Sequence, residues 1–147
     1  MNKSVLSQIS DIRYLSNLYI EKELEIKGIH DLYTSHGSII KTLYSHGPIT
    51  MKELAKAINR DKSTLTVLVR KLMKSDYVSV NKSEEDGRVK IISLTEKANE
   101  IEDAFEDISI DLNTALWSGI SNREARVFMK VLEKMNSNLI SEVEAID

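Results

Sequence analysis

Cysteine is absent from the 147 residues, which excludes disulfides, thiolate metal centres, cysteine nucleophiles and any oxidant sensing that runs through a thiol. Proline occurs once, at Pro48, and no internal repeat or low-complexity segment is present. The longest apolar runs are far too short to cross a bilayer. The first residues, MNKSVLSQISDIR, lack the apolar centre and small-residue cleavage site of a signal peptide. A cytoplasmic protein with no membrane partner is therefore expected. Also missing are the G-x-S-x-G, Walker and G-x-G-x-x-G patterns that mark nucleophile elbows and phosphate loops. His30, Asp31, His36 and His46 are the one set that suggests a metal or acid–base site. Their spacings match no helical H-x-x-x-H pair, so loop-edge histidines are the expected reading. Neither a cofactor nor an enzymatic activity is anticipated.

What is present is an uneven charge. The chain carries a formal −3, yet residues 1–48 sum to zero, residues 49–97 to +4 and residues 98–147 to −7. Positive charge sits on the middle segment, while phosphate would repel the acidic last third. A chain of this length has room for one domain, burying roughly two-thirds of its unfolded surface.

The middle segment, Ile49 to Lys97, predicts two short helices, a tight turn between them and a hairpin, because the apolar period changes from helical to alternating near Tyr77. Thr50 and Glu53 form a capping box just after Pro48, with Leu54, Ala57 and Ile58 inward. Asp61 caps the second helix, whose inward face is Leu65, Leu68, Val69, Leu72 and Met73. Its other face holds Lys62, Ser63, Thr64, Thr66, Val67, Arg70, Lys71 and Lys74. Short hydroxyls and methyls suit base edges, and long cations reach phosphates. The plainer reading is an amphipathic helix with a solvated basic side. Tyr77 to Asn81 then suit a strand, Asp86-Gly87 a turn, and Val89, Ile91 and Ile92 the returning strand.

Flanking segments read as helices. One runs from Ser4 to about Lys27, with Val5, Ile9, Ile12, Leu15, Leu18, Tyr19 and Leu24 at helical spacing, and ends near Gly28. A shorter one spans Thr34 or Ser35 to Ser45, stopped by His46-Gly47-Pro48, with Ile39, Ile40, Leu43 and Tyr44 inward. Thr95 caps a long helix to Trp117 carrying Ile101, Phe105, Ile108, Leu112 and Leu116. After Ser118-Gly119, a Ser121/Glu124 capping box opens a last helix with Phe128, Val131, Leu132, Met135, Leu139, Val143 and Ile146 on one side.

The run Asp86-Gly87-Arg88, then Leu94-Thr95 opening a helix, after a helix bearing Ser63-Thr64-x-Thr66, resembles the signature of the MarR family of winged-helix transcription regulators, and the likeness covers nearly the whole chain. It implies a mainly α fold with a small β-wing: a winged helix-turn-helix at 34–97, a connecting helix at 98–117 and dimerisation helices at 1–33 and 118–147. It further implies a homodimer on a pseudo-palindromic double-stranded DNA operator, a repressor role and a small-molecule effector. In the wing, Asp86 would hold Arg88, with Lys90 beside it on the DNA side. Tyr14, Tyr19, Tyr33 and Tyr44 are candidates to line an effector pocket, although tyrosines at such spacing also serve as plain core. Asp76 stands where family members usually carry glycine after the recognition helix. Glu84 and Glu85 at the wing tip keep open a winged-helix module that contacts proteins and not DNA, and an activator of the same fold is a further alternative.

Overall fold

Within residues 4–146, which the computed structural model describes, the chain forms in order α1 (Val5–Ile26), α2 (Thr34–His46), β1 (Ile49–Thr50), α3 (Met51–Ala57), α4 (Lys62–Lys74), β2 (Val78–Lys82), β3 (Lys90–Leu94), α5 (Glu96–Glu100), α6 (Glu102–Trp117) and α7 (Asn122–Glu144). The fold is mainly helical with a small antiparallel sheet, the winged-helix class expected. No helix among the described residues is long and apolar enough to cross a membrane.

Helix starts follow side-chain chemistry. At α3 the Glu53 N–H donates to Thr50 Oγ1 at 3.1 Å and the Thr50 N–H donates to Glu53 Oε2 at 2.8 Å. Ser121 and Glu124 repeat the box at α7, at 3.3 and 2.9 Å. Each box satisfies two donors that a helix terminus leaves orphaned. Helix ends use left-handed residues. Asn59 has φ +50° and Asp76 φ +60°, and each closes a Schellman pattern: Arg60 N–H to Ala55 C=O at 3.0 Å ends α3, and Tyr77 N–H to Leu72 C=O at 2.9 Å ends α4. Asn and Asp are the non-glycine residues best suited to that region. Asn59 thereby makes the tight turn that sets α4 against α3.

Several expectations are corrected. Ile49 and Thr50 are a strand as well as a cap: β1 pairs with β3, Ile49 opposite Ile92, so the wing has three strands ordered β1-β3-β2. Next, the helix after Thr95 is not continuous, because it breaks at Ile101. The Tyr44 hydroxyl donates to the Ala98 carbonyl, the acceptor that an unbroken helix would offer to Glu102 N–H. The wing tip spans Ser83 to Val89, closed by Ser83 N–H to Val89 C=O at 2.8 Å, and within it Asp86-Gly87 opens the expected turn, with Val89 N–H donating to Asp86 C=O at 2.9 Å. Finally, His36 is no loop-edge residue. It lies in the first turn of α2 and is buried, whereas His30 and His46 are exposed.

The chain divides into two compact units, one up to Ile110 and one from Asp111. The first has a core of Leu24, Ile39, Ile40, Leu43, Leu54, Leu65, Leu72, Tyr77 and Ile92 among others, each aliphatic side chain contributing about 1.5–3 kcal/mol by burial. Ala55, not Ala57, packs against it, and Met73 is 45% exposed instead of inward. The N-terminal half of α1 presents Val5, Leu6, Ile9, Ile12 and Leu15 to solvent. In the second unit, Trp117 and Phe128 meet edge to face at 6.3 Å. No residue of α7 is buried, and Val127, Phe128, Val131, Leu139, Ile140 and Val143 are all exposed.

Candidate nucleic-acid interface

Asp61 organises the start of α4. Its Oδ1 accepts the Thr64 N–H at 2.8 Å and the Ser63 hydroxyl at 2.5 Å, and its Oδ2 accepts the Thr64 hydroxyl at 2.8 Å. The Ser63 hydroxyl first, then the Thr64 N–H and hydroxyl, hold this carboxyl far below the usual range, so it is ionised at any working pH. Thr66 donates its hydroxyl to the Lys62 carbonyl at 2.7 Å. Lys62, Ser63, Thr64, Arg70, Lys71 and Lys74 are exposed, Val67 is half exposed and Thr66 is intermediate. The eight residues assigned to the outer face do lie there. Lys71 and Lys74, in the last turn, also oppose the negative end of the helix dipole.

The wing supplies the second set. The Arg88 N–H donates to Asp86 Oδ1 at 3.0 Å, and the Ser83 hydroxyl oxygen accepts the Glu85 N–H at 3.3 Å. Asp86 thus shapes the turn that carries Arg88 through the backbone; no ion pair between its carboxylate and the guanidinium exists among the described residues. Arg88 and Lys90 are exposed. Lys82 lies directly opposite Lys90 across β2 and β3, a like-charge pairing that destabilises a sheet unless an anion faces it.

Because β1 pairs with β3, the start of α3 is drawn alongside the wing. Between them lies a groove of about 550 Å³ with Met51, Ala55 and Val89 as apolar lining and Lys52, Lys62, Arg88 and Lys90 as cations. Lys52 is the residue that sequence reasoning missed. The signal that could have found it is the β1–β3 pairing, which only the fold reveals.

Behind α4, the Tyr77 hydroxyl donates to Asp31 Oδ1 at 2.6 Å, and Lys97 Nζ donates to Asp31 Oδ2 at 2.5 Å and to the Ser75 carbonyl at 2.8 Å. Burial pushes Asp31 up, but the Lys97 and Tyr77 hydrogen bonds together bring it below the ordinary value. This cluster anchors the C-terminal end of α4 to the segment before α2 and to α5. The four candidate pocket tyrosines are dispersed in character. Tyr14 and Tyr33 are 66% and 59% exposed, while Tyr19 and Tyr44 pack against the core. Burial first, and Glu102 second, push the Tyr44 phenol up to about 12.

A sequence model of the MarR family matches residues 32–90. The HTH-type transcriptional regulator SarZ of Staphylococcus aureus (strain MRSA252) is 30% identical over 126 residues, covering 84% of this chain and 83% of SarZ. Among solved structures, the S. aureus MepR–DNA complex superposes with a TM-score of 0.84 at 25% identity, covering 93% of this chain and 99% of that one. A MarR transcriptional regulator from Methanosarcina mazei Go1 gives 0.75 at 26% identity, with 93% and 96% covered.

Proposed function

The chain belongs to the MarR family of transcription regulators, which are not enzymes, and on that premise we propose that it is a homodimeric repressor binding a pseudo-palindromic operator in double-stranded DNA. The observation that carries the DNA reading is the cationic and hydroxyl surface formed by the outer face of α4, the wing and the groove between α3 and the wing, which Lys62 of α4 also lines. Ser63, Thr64, Thr66 and Val67 face base edges in the major groove, with Arg70 reaching a guanine or a phosphate. Lys52, Lys62, Lys71, Lys74 and Lys90 take phosphates, and Arg88, on the turn fixed by Asp86, enters the adjacent minor groove, where negative potential concentrates. That MepR was captured on DNA supports this reading, as does the pairing of Lys82 with Lys90 across the wing.

The dimer is supported by the solvent-facing apolar surfaces of α1 and α7, within the dimerisation segments 1–33 and 118–147. The repressor acts in the cytoplasm and answers a small aromatic or amphipathic effector. Fluorescence anisotropy on the chain's own upstream DNA across a salt series tests the interface. The wild type should bind there with a slope that Arg88→Ala lowers by about 1 per half-site, so about 2 for the dimer. An Arg88→Ala protein with unchanged slope and affinity removes the wing from the interface; a wild type that does not bind removes the DNA reading.

A further inference from the structure

The hydroxyls at the start of α4 have a fixed polarity. A carboxylate and a carbonyl can only accept hydrogen bonds, so the Ser63 and Thr64 hydroxyls must spend their protons on Asp61, and Thr66 must spend its own on the Lys62 carbonyl. What these three side chains offer solvent is lone pairs, and the exposed Thr64, the half-buried Thr66 and the half-exposed Val67 add their methyl carbons to that surface. Along the first turns of α4 the surface therefore offers acceptors and methyls and no hydroxyl donor.

Only two bases present a donor in the major groove, adenine through N6 and cytosine through N4, and only thymine presents a methyl. An A·T pair supplies both at once. A G·C pair supplies one donor beside two guanine acceptors, which face the lone pairs of α4 unpaired. Building on the DNA reading above, we propose that Asp61 sets the specificity of this protein: by consuming the hydroxyl protons it makes the N-terminal half of α4 select A·T pairs, adenine amino group against Ser63 and Thr64 and thymine methyl against Thr66 and Val67. Guanine is left to Arg70, a long donor one turn after Thr66, while Lys62, Lys71 and Lys74 on the same face go to phosphates.

Asp61→Asn inverts this locally. Asn caps a helix as well as Asp does, and its oxygen must stay on the Thr64 N–H, where the Ser63 hydroxyl also binds. The amide NH2 then replaces Oδ2 and donates to the Thr64 hydroxyl, whose own proton turns outward. The base facing Thr64 should change from an amino base, A or C, to a keto base, G or T. Thr64→Val removes the hydroxyl without touching the cap and should flatten the preference there, each good contact being worth roughly tenfold.

The experiment is operator selection from a random duplex library with the full-length wild type and both variants, read as base frequencies so that the general affinity gain from losing a negative charge does not enter. The expected result is A·T enrichment under α4 for the wild type, an amino-to-keto change at one position per half-site for Asp61→Asn, and loss of discrimination at the same position for Thr64→Val. If Asp61→Asn melts below the wild type, Thr64→Val alone carries the test. Wild-type and variant pools that agree base for base overturn the role of Asp61 while leaving the DNA reading intact. A wild type that enriches no sequence overturns both.

Discussion

His36 lies buried at 1% exposure, with Nδ1 accepting the Tyr33 N–H at 3.4 Å and Nε2 without a partner among the described residues. Since Nδ1 accepts, Nε2 carries the hydrogen, and a buried donor is left unsatisfied. Burial first, and the Lys71 charge second, depress its pKa below 6.5. The unfolded chain then binds more protons than the folded one below that value, so stability present above about pH 6.5 is lost as pH falls through the folded pKa. Thermal melts from pH 7.5 to 5 should show this decline, and His36→Leu should flatten it; an unchanged pH dependence in the variant would clear His36 of the effect. Asp76 is the second informative residue. Its φ of +60° at the end of α4 is strained for a side chain branched at Cβ, so Asp76→Val should destabilise by about 1–2 kcal/mol, whereas Asp76→Gly should not destabilise at all. Urea midpoints decide between them. Departure from the family's glycine was visible in the sequence, but the left-handed geometry retained there was not, because it depends on the Schellman pair that Leu72 and Tyr77 complete.

Elements whose causes are local were readable from the chain. Thr50 with Glu53, Asp61 and Ser121 with Glu124 placed three helix starts, since every partner of a cap lies within three residues. Features whose causes are distant were not. β1 is two residues long and owes its existence to β3, some forty residues later; the break at Ile101 sits where a hydroxyl on α2 donates to the Ala98 carbonyl; and the inward His36 shares its helical period with apolar neighbours. The candidate interface divides the same way: the α4 face and Arg88 were legible, while Lys52 and the spent hydroxyls were not. The cluster of Asp31, Tyr77 and Lys97 gives an element-scale test. Tyr77→Phe deletes a hydroxyl bonded to an ionised carboxylate and should cost about 1–2 kcal/mol, with the ring and its packing kept. Asp31 has a folded pKa below 3.8, so its contribution is present above that value and lost as pH falls below it. The Tyr77→Phe penalty should therefore shrink as pH falls through the folded pKa of Asp31, and a penalty that stays constant over the whole acid range in which the protein remains folded would show that the ionised carboxylate is not its source.

At the scale of the molecule, a polar-coated chain does not leave a 23-residue helix without one buried residue, as α7 is here, unless something covers it. Its exposed Val127, Phe128, Val131, Leu139, Ile140 and Val143 form an apolar surface far beyond the scattered singles of an ordinary monomer. Nucleic acid is a poor cover, because residues 98–147 carry a net −7 and would be repelled by phosphate. A second copy fits, since its α7 offers the same apolar stripe and a two-fold axis makes one patch serve both sides. Light scattering at micromolar concentration should thus give twice 16.7 kDa. Placing carboxylates on the stripe with Leu139→Asp and Val143→Asp, both already exposed in the single chain, leaves the first unit's core untouched and should return the mass to 16.7 kDa. Salt dependence of DNA binding then follows: a monomer neutralises half the phosphates of the dimer, and because the slope of log K against log salt scales with that number, it should fall to about half. A double variant that remains at twice the chain mass assigns the interface to another surface, and one that becomes monomeric yet keeps the full slope means that a single copy already makes every phosphate contact.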